Sequence, residues 1–178
     1  MTLSRTQIVE SAYSTLRAHG LAGVSMRRIA HDLGVQPGAL YYYVASKQDL
    51  LAGVAERILA DSAQAASATD PAQAACDIRE ALLLVRDSAD VISFVHVFRP
   101  DALTPFRALQ RLFAARLPDR QAHRAAQTLI CYVLGFVAEE QNYAELVRAE
   151  IVNDQTPEIY SPEVFRFGVD TILRGLAT

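Results

Sequence analysis

Between Ser25 and Lys47 the chain reads SMRRIAHDLGVQPGALYYYVASK, and no other stretch restricts the fold as tightly. Ser25 is a helix-capping residue, and Met26, Ile29, Ala30 and Leu33 follow at the spacing of one helical face. Gly34 stops that helix. Pro37 opens another at the first helical position, where its missing N–H does no harm. This second helix runs to about Val44, because Ser46 and Asp49 form a capping box for a further helix that starts at Lys47. Helices this short are not stable alone, so the two must share a core. Ile29, Ala30, Leu33, Leu40 and Val44 provide it, and Ala30 is small enough to let the backbones approach. The product is a helix-turn-helix, in which the open face of the second helix suits the major groove of DNA.

The flanking segments continue the helical pattern. Ser4 and Gln7 make a capping box for a first helix with Ile8, Val9, Ala12, Tyr13 and Leu16 on its apolar side and Gly20 as its stop. The helix from Lys47 carries Leu50, Leu51, Val54, Ile58 and Leu59 and is expected to reach Thr69, its alanine-rich end acting as a connector. Beyond Pro71, helices are expected near 71–87, 89–97, 102–116, 120–147 and 162–176, with prolines marking breaks. Residues 148–160 lack a period and read as a loop with at most one short helical turn. No strand pattern is present. The fold class expected is all-α: a three-helix helix-turn-helix domain over residues 1–48 and a larger helical domain over 49–178.

Charge divides along the same line. Residues 1–48 carry Arg5, Arg17, Arg27, Arg28 and Lys47 against Glu10 and Asp32, whereas the whole chain has a net charge of −3. A basic head on an acidic body suits phosphate at one end, although seven charges are few enough for chance to do the same. Cys76 and Cys131 lie far apart in apolar helical contexts and suggest neither a disulfide framework nor a metal site. No cofactor and no metal are expected. The polar N-terminus lacks the apolar core of a signal peptide. The longest apolar run, Leu129–Ala138, is well short of the roughly 20 residues of a membrane span. A cytoplasmic protein without membrane contact is expected.

The run GVQPGALYYYVASKQDLL, preceded by SMRRIA, resembles the DNA-binding block of the TetR family of transcriptional regulators. CYVLGFVAEEQ at 131–141 and FRFGVDTILRGL at 165–176 resemble, in weaker motifs, the C-terminal domain of the family's tetracycline-responsive members. The resemblance implies a homodimeric DNA-binding regulator, a repressor by default, released from a palindromic double-stranded operator by a small molecule bound in residues 49–178.

Carried onto these residues, the resemblance implies a DNA-contacting set of Ser25, Met26, Arg27, Gln36, Pro37, Gly38, Ala39, Tyr41, Tyr42 and Lys47. Arg27 would reach a guanine edge or a phosphate. The tyrosines would meet phosphates, sugars or thymine methyls, with Tyr43 the one that packs inward. Lys47 would meet a phosphate at a helix N-terminus. Gly38 and Ala39 bring no hydrogen-bonding side chain, so base reading rests on Arg27, Gln36 and apolar contacts.

Phe165, Val169, Ile172 and Leu176 form one helical stripe, and Leu129, Val133, Phe136 and Val137 another. Two such helices per subunit build a four-helix dimer interface, unless both stripes bury within one chain. The effector is expected among Phe94, His96, Phe98, Arg99, Phe106, Gln110, Phe113, Phe136 and Glu139, although aromatic residues at this spacing also serve as plain core. Family members that bind a magnesium–tetracycline chelate use a histidine ahead of an Arg-Pro pair and a glutamate in the C-terminal domain. Here His96 stands one residue too close to Arg99-Pro100, Phe98 replaces the expected threonine, and only Glu139 matches. His19, His31 and His123 are expected at the surface.

Two other classes compete. No nucleophile elbow, zinc-protease motif, phosphate-binding glycine loop or Cys/His cluster points to an enzyme. A ligand-binding helical dimer that has lost DNA regulation would share the body, but Arg27, Tyr41 and Lys47 argue for an intact reading head.

Overall fold

The computed structural model describes residues 3–60, 68–153 and 157–176, and every regular element among them is helical. Helices α1 (Arg5–Gly23), α2 (Met26–Asp32) and α3 (Pro37–Leu40) form a head. Helix α4 (Lys47–Ala60) leads into a body of α5 (Pro71–Leu83), α6 (Ser88–Phe98), α7 (Thr104–Ala114), α8 (Asp119–Arg148) and α9 (Pro162–Leu176). Single 3-10 turns at Pro100–Ala102 and Glu158–Tyr160 complete the path.

Helix α4 is shared between the two parts. It packs on α1 in the head and on α5 and α6 in the body. Its central residues Leu50 to Ala55 are all buried, as are Ile58 and Leu59, so it is apolar nearly all round. Gly53 marks its closest approach to α1: a Cβ there would stand 2.7 Å from Val9 Cγ2. The long α8 crosses the body and packs on α5, α6, α7 and α9, burying Ala122, Ala125, Ala126, Leu129, Ile130, Val133, Leu134 and Val137.

Several expected boundaries move, each for a local reason. Helix α1 kinks at Gly20, which is left-handed at φ 70°, and then resumes to Gly23. Helix α3 ends at Leu40 rather than Val44, and Tyr41 to Tyr43 form turns instead. The segment expected to continue α4 over 61–67 lies outside the described residues, and Ala68 and Thr69 are not helical. Helix α5 stops at Leu83 instead of running to residue 87. The buried Ser88 hydroxyl donates to Leu82 O at 2.6 Å, and Gln141 Nε2 donates to Leu82 O and Val85 O. These side chains take carbonyls that a longer helix would have used. Of the segment 148–160 expected to be irregular, Arg148 ends α8, and residues 149–153 and 157–160 are irregular apart from one short 3-10 turn at Glu158–Tyr160.

The two stripes assigned to a dimer interface turn inward. Leu129, Val133, Val137, Phe165 and Val169 are fully buried within a single chain, and Phe136, Ile172 and Leu176 are half-buried against the same core. Helices α8 and α9 pack on each other, so each stripe is covered by its neighbour. A partner would have to meet the opposite faces. On α8 these are Thr128, Cys131, Gly135, Glu139, Asn142 and Leu146, all exposed at helical spacing; on α9 they are Phe167, Thr171 and Arg174.

Candidate nucleic-acid interface and ligand cavity

The turn after α3 is pinned from below and open above. Leu40 and Val44 are fully buried, while Tyr41 and Tyr42 are 53% and 89% exposed. Tyr43, expected to pack inward, is 40% exposed as well, because all three residues fall in the turn rather than on the inner face of a helix. Three adjacent exposed tyrosines leave apolar surface in water, which folding alone does not favour. Gln36, Pro37 and Gly38 are exposed beside them, and Ala39 and Met26 are half-buried.

Ser25 caps α2 by accepting a hydrogen bond from the Arg28 backbone N–H at 3.2 Å. The head's cations then divide into two groups. Arg28 lies 2.6 Å from His19 Nε2 and faces Asp32, Arg5 pairs with Asp49, and Arg17 lies over the Tyr13 ring. Arg57 of α4 pairs with Glu10. Arg27 and Lys47 are exposed and have no ion pair among the described residues.

Lys47 opens α4, where Ser46 Oγ accepts from the Asp49 backbone N–H at 3.1 Å. The Asp49 carboxylate accepts from the Ala45 N–H, from Arg5 of α1 and, at 3.0 Å, from Arg99 at the end of α6. Burial pushes the Asp49 carboxyl up, but the bonds from Arg99 and Ala45 and the charge of Arg5 outweigh it, and its pKa falls below the ordinary 3.8. The capping role of Asp49 is visible in the sequence. Its bridge from head to body depends on residues 44 and 50 positions away, which no local pattern reveals.

The residues expected to hold an effector do not form one site. His96, Phe106 and Gln110 line a cavity of about 200 Å³ between α6, α7 and α8. His123, Gln127 and Ile130 line its α8 side, and the charged Asp101 and Arg107 also border it. His123 is exposed as expected, but its place in this wall was not foreseen; only the helical register of α8 puts it there. His96 Nε2 meets Gln127 Oε1 at 3.0 Å, its ring meets Phe106 edge-on, and its Nδ1 is buried without a hydrogen-bond partner among the described residues.

The other expected residues disperse. Phe94 and Phe98 meet with their rings tilted, 5.0 Å between centres, both more than 40% exposed and outside the cavity. Arg99 is committed to Asp49. Phe113 is buried and lines a separate groove with Leu173 and Leu176. Phe136 packs on Tyr132 and Phe165, and Glu139 is exposed. A feature without a sequence signal lies nearby: Arg79 and Glu140, each about nine-tenths buried, form a two-bond ion pair, with the guanidinium 5.2 Å from the Phe165 ring centre.

Comparison with known proteins matches both parts of the chain. Residues 8–54 fit the family model described as bacterial regulatory proteins of the tetR family. Residues 68–160 fit the model of the tetracyclin repressor-like C-terminal domain. The class A tetracycline repressor from transposon 1721 of Escherichia coli is 30% identical over 146 residues, covering 78% of this chain and 68% of that protein. Among solved structures, Mycobacterium smegmatis BioQ superposes with a TM-score of 0.84 at 31% identity, covering 99% of this chain and 98% of its own. BioQ bound to its double-stranded DNA operator gives 0.80 at 32% identity, covering 99% of both chains.

Proposed function

The chain belongs to the TetR family of bacterial regulatory proteins, and from that premise we propose that it is a homodimeric repressor released from a palindromic operator by a small effector. The observation that carries the DNA-binding part is the uncommitted face of the head. Arg27 and Lys47 are exposed with no ion pair among the described residues, and Tyr41 and Tyr42 of the same head are exposed too, while Arg5 and Arg28 are tied to acidic or histidine partners. A relative bound to its DNA operator shares the fold over 99% of this chain, which supports the same reading.

Arg27 reads a guanine edge or grips a phosphate from the start of α2. Ser25, Met26, Gln36, Pro37, Gly38 and Ala39 face the groove around it, and Tyr41 and Tyr42 lie along the backbone. Lys47 places its charge at the N-terminus of α4, where free backbone N–H groups also favour phosphate. Residues 1–48 are the reading domain and 49–178 the sensing and dimerising domain. The dimer forms through the exposed faces of α8 and α9, and it holds two reading heads about one DNA turn apart, roughly 34–36 Å.

The effector sits in the cavity of His96, Phe106, Gln110, His123, Gln127 and Ile130. It supplies a partner for His96 Nδ1, which has none among the described residues. Arg99, three residues along the same segment, holds Asp49 at the start of α4, so a ligand that shifts α6 also shifts the head. It must bind the DNA-free arrangement more tightly, or it moves nothing. The protein acts in the cytoplasm, where its DNA is.

Fluorescence anisotropy tests this reading, using palindromic DNA from upstream of the protein's own gene at two salt concentrations. Tight binding that exceeds a scrambled duplex and weakens with salt is expected. Equal binding to both duplexes, repeated with sites selected from the whole genome, would leave a ligand-binding dimer without DNA regulation.

A further inference from the structure

Asp87 occupies the N-cap position of α6, where an aspartate ordinarily accepts from its own helix's first turn. Here its carboxylate makes no such bond. It reaches instead into the head, where Oδ2 accepts the Leu21 backbone N–H at 2.6 Å. Leu21 follows the α1 kink, and Gly20 there is left-handed at φ 70° and buried. A Cβ on Gly20 would stand 2.5 Å from that same carboxylate oxygen, so only glycine lets the contact close. The chain turns out of α1 within three residues of this point and reaches Ser25 and Arg27 immediately afterwards.

The other end of the contact is rigidly rooted. Asp87 is itself left-handed at φ 55°. The turn around it is held by Gln141 of α8, which donates to Leu82 O, Val85 O and Ser88 Oγ and accepts from the Ala89 N–H. Arg86 is tied to Glu145 of the same helix at 2.9 Å. The connection therefore runs from α8 through the α5–α6 turn to the end of α1, and bypasses α4.

We propose that Asp87, a residue of the body, is a positioning residue for DNA recognition: it fixes the angle at which the head presents α2 and α3, with Gln141 as its anchor. A diverted cap gives up stabilisation of its own helix, and the Leu21 N–H is what it gains. The head stays folded without this bond, since its core of Ile8, Leu16, Ile29, Leu40 and Val44 does not involve Asp87. What changes is the freedom of the head relative to the body. That freedom weakens a site read by two heads at a set spacing more than it weakens non-specific contact, which needs no fixed spacing.

This inference rests on the DNA-binding reading of the head. Its test compares wild type with Asp87→Gly and Asp87→Asn. Glycine tolerates the left-handed backbone and removes the acceptor; asparagine tolerates it and keeps one. Anisotropy is measured on operator and on scrambled duplex, alongside thermal melting and a sedimentation measurement of the dimer. Asp87→Gly is expected to bind operator about tenfold more weakly, the scale of one charge-assisted hydrogen bond. Its scrambled-duplex affinity and dimer are expected to match wild type, and Asp87→Asn is expected to recover most of the loss. Gly20→Ala, which pushes the carboxylate away from the other side, should reproduce the Gly variant.

Operator affinity unchanged in both Asp87→Gly and Gly20→Ala overturns the proposal. So does an equal loss on both duplexes with a lowered melting point, or failure of Asp87→Gly to fold while Asp87→Asn behaves as wild type, since each makes Asp87 merely structural. Wild type that does not distinguish operator from scrambled duplex refutes the DNA-binding reading instead.

Discussion

The head and the body spend the same kinds of side chain in opposite ways. In the head, Arg27 and Lys47 are exposed with no ion pair among the described residues, and Tyr41 and Tyr42 are half or more in water. In the body, Arg79 is sunk against Phe136 and Phe165 and paired with Glu140, and Arg86 is bound to Glu145. An arginine committed to a buried carboxylate has nothing left for a ligand; one held in water by its own backbone is available to a phosphate or a guanine. Changes in the head should therefore alter affinity and leave folding alone, whereas changes in the body should alter folding first.

The largest expected effect tests the body. Arg79→Ala strands Glu140 in a site about nine-tenths buried and should lower unfolding stability by about 3–5 kcal/mol, read from urea denaturation. Replacing both partners, Arg79→Met with Glu140→Leu, should restore most of it, because the cost lies in the orphaned charge rather than in the missing pair. A double variant as unstable as the single one would show that the aromatic packing around the guanidinium, not the carboxylate, is what matters.

In the head, Arg27→Ala should cost about 1–3 kcal/mol of operator discrimination and leave the urea midpoint unchanged. If Arg27→Ala weakens operator and scrambled duplex equally, Arg27 grips a phosphate rather than a base edge. Lys47→Ala should act more weakly and without sequence preference, lowering the slope of log affinity against log salt by about 1.

The same contrast explains what could be read from the amino acids alone. The head's pattern is local: Ser25, Gly34, Pro37 and Ser46 set the helix ends from neighbours a few positions away, and the structure keeps those ends apart from the early stop of α3. The starts of the helices beyond residue 70 are legible to within a turn for the same reason, through Pro71, Pro105 and Pro162; the end of α5 falls four residues early. The faces of those helices are not legible. Val133 and Phe165 have the periodicity of an interface, but periodicity says only that a face is covered, not whether the cover belongs to the same chain. The effector set is scattered by register: Phe94 and Phe98 share a helix with His96 but do not line the cavity that His96 lines. Arg79–Glu140 and Asp87–Leu21 join residues 61 and 66 positions apart, and nothing in the intervening sequence announces them.

Asp49 belongs to both regions and should give the smallest effect and the sharpest sign. It is one-fifth exposed and accepts from Arg5 of the head and Arg99 of the body. Its folded pKa lies below the unfolded value of 3.8, because the bonds from Arg99 and Ala45 and the Arg5 charge together outweigh the opposing effect of burial. The linked stability is therefore fully present above pH 3.8 and is lost as pH falls through the folded pKa. Asp49→Asn should lower stability at pH 7 by up to about 1 kcal/mol, the scale of a partly screened pair. It should also flatten the fall in stability between pH 4 and pH 3 (rough bounds around the unfolded value). An identical acid slope in wild type and Asp49→Asn would mean that the bridge from head to body is not held by this carboxylate. The Leu21–Asp87 bond and the Arg57–Glu10 pair would then be left to set the angle between the two regions.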